Sequence, residues 1–179
     1  MSDCVHILVM GVAGSGKSTV GAGLARTFDA QFLEGDDVHP EANVQKMAAG
    51  IPLTDADREP WLATLADLLA DRHARGVSTV LACSALRRAY RDRLRSAVPI
   101  GEWFLVLLAA DADVLRSRLA SRRGHYMPAS LLESQLATLE PLDADETGAT
   151  IDAGRAEGDV LAAAMAAVRG WHGTLPAGR

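Results

Sequence analysis

Short apolar runs alternate along this chain with longer stretches in which apolar positions recur every three or four residues. Val5–Met10 (VHILVM) is bounded and largely apolar, and its length predicts a buried strand rather than a helix. Gly16–Phe28 reads as a helix and Gln31–Leu33 as a short strand. Pro40–Ala49 is a helix opened by proline, a residue suited to the first helical turn. Thr54 is the expected N-cap of Asp55–Arg75, where Trp61, Leu65, Leu68 and Leu69 recur at helical spacing. Thr79–Cys83 is a strand, Leu86–Ala97 a helix and Trp103–Ala109 a strand. Asp111–Ser121 carries Asp in its first turn and Arg toward its end, the order a helix dipole favours. Leu131–Leu139 is a helix, Thr150–Asp152 a last short strand, and the Ala-rich Ala156–Val168 a closing helix. This rhythm predicts an α/β fold with a mostly parallel sheet and helices on both faces.

Size and charge narrow the picture. At 179 residues, with no internal repeat or long linker, the chain is expected to be a single domain spanning 1–179. Apolar residues make up 49% and charged residues 23%, a globular balance. The net charge of −5 argues against a general binder of nucleic acid or membrane surfaces. Cys4 and Cys83 stand far apart without a partner motif, so neither a disulfide framework nor a zinc ribbon is expected. Apolar runs such as Trp103 to Ala110 are too short to cross a bilayer, and no signal-type segment opens the chain. The cytoplasm is the expected compartment.

The strongest chemical signal is Gly11-Val-Ala-Gly-Ser-Gly-Lys-Ser18, which fits G-x-x-x-x-G-K-[ST] directly after a strand and at the opening of a helix. Gly11, Val12, Ala13, Gly14, Ser15 and Gly16 form a loop whose backbone N–H groups converge on phosphate oxygens. The helix N-terminus, with Thr19 in its first turn, adds its positive end. Lys17 reaches the β- and γ-phosphates and the Ser18 hydroxyl can ligate Mg²⁺. Lys17 and Lys46 are the only lysines in the chain. A GTPase would carry a guanine-reading N-K-x-D, which is absent, and Asp145-Glu-Thr-Gly148 spells D-x-x-G without a preceding apolar strand. ATP is therefore the expected nucleotide, and the small size points to a kinase of a small molecule.

Three further clusters bear on the acceptor. Gly35-Asp-Asp-Val-His-Pro40 follows the second strand and so falls at the edge where ligands bind in open α/β sheets. Asp36 is the candidate to orient an acceptor hydroxyl and take its proton. Asp37 either holds a water on the metal or faces solvent, and an Asp-rich turn capping the next helix is an equal reading of the same residues. In Cys83–Arg91 (CSALRRAYR), Arg87 and Arg91 lie nearest the strand end, where an anionic substrate can be clamped. Arg87, Arg91 and Arg95 are four residues apart and are expected on one helix face, which is also the pattern of a solvated face. Arg58 in Asp55–Arg58 is another candidate for the pocket. Arg122-Arg-Gly-His-Tyr-Met-Pro128 breaks the helical pattern with Gly and Pro and reads as a mobile lid over about 122–139. Arg122 and Arg123 are candidates to stabilise the transferring phosphoryl group or to stack on adenine, although two basic residues ending a helix need no such role.

Together, MGVAGSGKST, FLEGDDVHPEANVQKMAAGIPLTDADREPWL, CSALRRAYRDRLR and GHYMPASLLESQLATLEP resemble gluconate kinase of the small phosphate-loop type, related to shikimate and nucleotide kinases. The likeness runs from about Val9 to Pro141. It implies a five-stranded parallel sheet with a mobile lid and ATP-dependent, Mg²⁺-assisted phosphorylation of D-gluconate to 6-phosphogluconate. It places Asp36 at the acceptor, His39, Lys46, Arg58, Arg87 and Arg91 on the substrate side, and His125 and Gln135 in the lid segment. It also puts the adenine-side loop near Ala153 and, as members are often homodimers, a second copy among the partners.

Overall fold

The computed structural model describes residues 4–121 and 129–173. Strands β1 (His6–Met10), β2 (Gln31–Glu34), β3 (Thr79–Ala82), β4 (Trp103–Ala109) and β5 (Gly148–Asp152) form one sheet in the order β2-β3-β1-β4-β5. Every pairing is parallel. Helices α1 (Lys17–Thr27), α2 (Glu41–Ala48), α3 (Asp55–Ala74), α4 (Arg88–Arg95), α5 (Ala112–Ser121), α6 (Ala129–Thr138) and α7 (Glu157–His172) complete the described residues. The five-stranded parallel sheet expected from the resemblance is what the chain forms.

The two faces of the sheet follow from strand periodicity. In β1, Leu8 and Met10 join Leu81, Leu105 and Leu107 on one face, beneath Trp61, Leu65 and Leu69 of α3 and Leu94 of α4. Ile7 and Val9 point the other way and meet Val80, Val106 and Leu108 under α1 and α7. Alternate side chains of a buried strand serve opposite layers, which is why the central strands read as continuous apolar runs. His6 is fully buried in the same strand. Burial first, then His73, pulls its pKa down to about 4, so its ring is neutral near pH 7.

Several boundaries differ from expectation in informative ways. Pro40 is the N-cap of α2 rather than its first residue. Helix α4 begins at Arg88, because Ala85 takes a φ of 42° and Arg87 is extended as N-cap. Arg87 therefore does not share a helical face with Arg91. Thr54 does cap α3, in a reciprocal capping box with Asp57. Strand β5 starts at Gly148, two residues before the apolar signal. No helix among the described residues is long and apolar enough to cross a membrane.

The chain leaves β1 at the point where the order reverses, with β3 on one side and β4 on the other. Ligands of open α/β sheets bind at such a switch point, beyond the carboxyl ends of the strands.

Candidate active site

The loop between β1 and α1 turns sharply enough to need glycine. Gly16, the N-cap of α1, sits at φ 96° in the left-handed region, a conformation glycine reaches at no steric cost. No acidic residue occupies the first turn of α1, so its N-terminus presents uncompensated N–H groups. Lys17 Nζ donates to the Val12 carbonyl at 3.1 Å, folding its ammonium over the loop. The Ala13 N–H donates to Gln135 Oε1 at 2.7 Å, so α6 reaches the loop directly. Ser15 Oγ is buried without a hydrogen-bond partner among the described residues.

Two cavities flank this loop. One of about 300 Å³ lies against Gly14, Gly16, Thr19, Arg118, Ala153 and Glu157. Ala153, which the resemblance puts near the adenine-side loop, lines this cavity, and Arg118 is a polar lining residue that the sequence did not single out. The other, about 130 Å³, is shared by Lys17, Asp36, His39, Arg58 and Gln135, with Trp61, Ser84 and Ser134. Five sequence candidates from four separate segments are therefore gathered in one cleft.

Asp36 is carried there by a single 3₁₀ turn, Gly35–Val38, at the end of β2. Gly35 packs so closely on β3 that a Cβ would lie 2.7 Å from the Ala82 carbonyl oxygen. Trp61 Nε1 donates to the Gly35 carbonyl at 2.7 Å and fixes the turn from the α3 side. The Asp36 side chain is 70% exposed, with His39 Nε2 3.9 Å away. His39 stacks on Trp61 with ring centroids 4.1 Å apart. Its pKa is lowered, chiefly by burial, with Asp36 opposing and Arg58 reinforcing, so the ring is neutral near pH 7. Asn43, itself buried, donates its amide to the Asp57 carbonyl at 2.7 Å and lies 3.4 Å from His39 Nδ1. With Nδ1 accepting from Asn43, the ring proton sits on Nε2, facing Asp36. Asn43 and Trp61 thus hold His39 and the Asp36 turn in place, roles that the stretch FLEGDDVHPEANVQKMAAGIPLTDADREPWL contains but does not signal.

Arg58 is held for work in the cleft. Its Nη1 donates to the Leu53 carbonyl at 2.6 Å and its guanidinium lies 5.6 Å from the centre of the Tyr90 ring. Tyr90 donates a short hydrogen bond to Asp55, which also pairs with Arg87 Nη1 at 2.7 Å.

The remaining candidates sit differently. Lys46 pairs with Asp57 at 2.6 Å, and neither lines the cleft. That contact, with the two Thr54 bonds next, brings the Asp57 pKa down to about 2. Arg87 stands just outside the cleft lining, engaged by Asp55. Arg91 is a correction. It was expected to grip substrate, but its side chain is 1% exposed and makes a two-pronged pair with Glu146, both contacts at 2.6 Å. Its other bonds go to the carbonyls of Glu140 and Pro141. With these acceptors it holds the segment before β5 rather than a ligand. The stretch Asp143–Glu146 is thus an acidic dock, as Arg88 also bonds Asp143 and Asp145. Arg122, Arg123 and His125 lie outside the described residues.

A parallel five-stranded sheet, a phosphate loop at its switch point and a polar cleft beside it that joins Lys17, Asp36 and Arg58 define a phosphate-loop kinase of small molecules. Comparison with known proteins takes this further. Residues 7–142 match the family described as AAA domain. Gluconokinase of Gluconobacter oxydans (strain 621H) is 52% identical over 141 residues, covering 78% of each chain. The crystal structure of a gluconokinase from Sinorhizobium meliloti 1021 is 41% identical, with a TM-score of 0.86 over 97% of both chains. Shikimate kinase from Aquifex aeolicus, at 17% identity and a TM-score of 0.60, shares the fold. The chain belongs to the gluconokinase family.

Proposed function

We propose that this chain transfers the γ-phosphoryl group of ATP to the terminal hydroxyl of D-gluconate, giving ADP and 6-phospho-D-gluconate. One observation carries the reading: Lys17 of the phosphate loop and Asp36, His39, Arg58 and Gln135 share one cleft. Membership of the gluconokinase family supports the choice of acceptor.

The residues divide the work. Loop N–H groups from Gly11 to Gly16 and the first turn of α1, with Thr19, cradle the phosphates, and Lys17 swings from the Val12 carbonyl to the β/γ oxygens. Exposed Asp36 accepts the hydroxyl proton as that oxygen bonds to phosphorus and the bond to ADP breaks. Arg58 pairs with the gluconate carboxylate, a task suited to a planar guanidinium. His39 Nε2–H and Gln135 bind hydroxyls. Because Gln135 also accepts from Ala13 N–H, phosphate entry and closure of α6 are coupled. Lys46 and Arg87 act through Asp57 and Asp55, positioning the cleft rather than touching the substrate. We assign the lid to segment 122–139 by the resemblance, with Arg122 and Arg123 as its candidates for the phosphates and His125 for the sugar acid. Mg²⁺ fits the donors present, since the Ser18 hydroxyl at the start of α1 and the Asp36 carboxylate, which shares a cleft with Lys17, are exposed hard oxygens. It supplies charge neutralisation on the phosphates.

The test is ADP release measured over gluconate, shikimate, pantoate and AMP. Turnover with gluconate alone is expected. Turnover with shikimate and none with gluconate sinks the proposal.

A further inference from the structure

At the amino-terminal edge of the sheet, remote from the cleft, three side chains converge. His6 opens β1, Glu102 directly precedes β4, and His73 lies in the last turn of α3. The His6 N–H donates to the Glu102 carbonyl at 2.8 Å, which fixes the two backbones side by side. His6 Nε2 lies 3.3 Å from His73 Nδ1, and His73 Nδ1 lies 3.2 Å from Glu102 Oε2. One ligand atom from each residue falls within 4.8 Å of the others. The His73 nitrogen thus faces two partners while carrying at most one proton, which can be aimed well at only one of them. Glu102 Oε2 is buried and makes no hydrogen bond among the described residues.

The two spacings made by His73 Nδ1, 3.3 and 3.2 Å, are those of neighbouring ligands in a coordination shell. Zinc binds imidazole nitrogen and carboxylate oxygen at about 2.0–2.2 Å, which sets neighbouring ligand atoms of a tetrahedron about 3.3–3.5 Å apart. Two imidazoles and one carboxylate leave a fourth position for water, the ligand set of a borderline-soft divalent ion rather than of Mg²⁺ or Ca²⁺. His73 and Glu102 are each 29% exposed, so an ion can enter from solvent while His6 anchors it from within.

We propose that His6 Nε2, His73 Nδ1 and the Glu102 carboxylate form a Zn²⁺ site that ties the end of α3 to β1 and β4. The site is remote from the phosphate loop: β1 separates the two by five residues, roughly 16 Å of strand.

The experiment uses the untagged full-length chain after chelator treatment, titrated with Zn²⁺ against a chromogenic chelator and with Co²⁺ by visible absorption. Expected are one equivalent of Zn²⁺ bound with Kd of about 1 μM or tighter, a tetrahedral-type Co²⁺ spectrum and a rise in Tm with Zn²⁺. His73→Gln and Glu102→Gln, both at partly exposed positions, should weaken binding by at least about 100-fold and abolish the rise in Tm. Each should leave gluconate turnover unchanged. No saturable binding up to about 100 μM Zn²⁺, or equal affinity in wild type and both variants, overturns the proposal.

Discussion

On the nucleotide side of the cleft, a cavity of about 300 Å³ is bounded mostly by glycines and short side chains of the loop and α1, with Arg118 and Glu157 as its two long charged residues. On the acceptor side, a cavity of about 130 Å³ is bounded by Lys17, Asp36, His39, Arg58 and Gln135. The first half grips with peptide N–H groups, which every residue carries. The second grips with side chains that the fold has already paired with one another. Phosphate looks alike on every nucleotide, so one short contiguous loop suffices to bind it. A sugar acid is defined by where its carboxylate and hydroxyls lie, and that needs several distant segments brought to fixed positions.

The two halves should break differently. At the loop between the two halves one side chain matters greatly: Lys17→Ala is expected to remove detectable phosphoryl transfer in a single-turnover assay, because it takes away the ammonium that reaches the β- and γ-phosphates. In the acceptor half Asp36→Asn is expected to lower kcat by about 10²–10⁴ while leaving ATP affinity intact. Near-normal turnover of that variant would remove Asp36 as the base.

The support behind the acceptor half is open to a different measurement. Glu146→Gln leaves the buried Arg91 guanidinium without its counter-charge and should cost about 3–5 kcal/mol of unfolding free energy in urea. The hydrogen bond from Arg91 lowers the Glu146 pKa, against burial, which raises it and is the largest single influence. Since the net shift is downward, this stabilisation is fully present above the usual Glu range and is lost as pH falls below it. A variant as stable as wild type at pH 7 would mean that Arg91 is free for a ligand after all. Arg58→Lys should then raise the KM for gluconate by about tenfold with little change in KM for ATP, whereas Arg87→Lys should change it less. An equal effect would place both guanidiniums on the substrate.

What was legible in the sequence follows the same division. The phosphate loop was complete in eight contiguous residues, and the strands on either face were marked by runs such as Trp103–Ala109. The task of Arg91 was hidden because Glu146 is 55 residues away, in a polar stretch that reads as an ordinary loop. The contact of Gln135 with Ala13 spans 122 residues and leaves no local trace. The face of Arg87 was not legible because a helix from Leu86 includes it, whereas the positive φ of Ala85 and the extended Arg87 delay α4 to Arg88. Local chemistry was readable, whereas pairings made by the fold were not.

The smallest expected effect is at Asp57, and it separates the cleft from its frame. Asp57 accepts from Lys46 and completes the capping box with Thr54, yet does not line either cavity. Asp57→Asn should therefore lower Tm by about 2–4 °C and leave kcat unchanged. The sign with pH is fixed by its folded pKa of about 2, below the ordinary Asp value. Its contribution is present above the unfolded pKa and fades as pH falls toward the folded one. The Tm gap between wild type and Asp57→Asn should hold from about pH 7 to 5 and narrow below about pH 4. A gap independent of pH would credit cap geometry alone, and a fall in gluconate affinity at constant Tm would move Lys46 and Asp57 from the frame of the cleft into its lining.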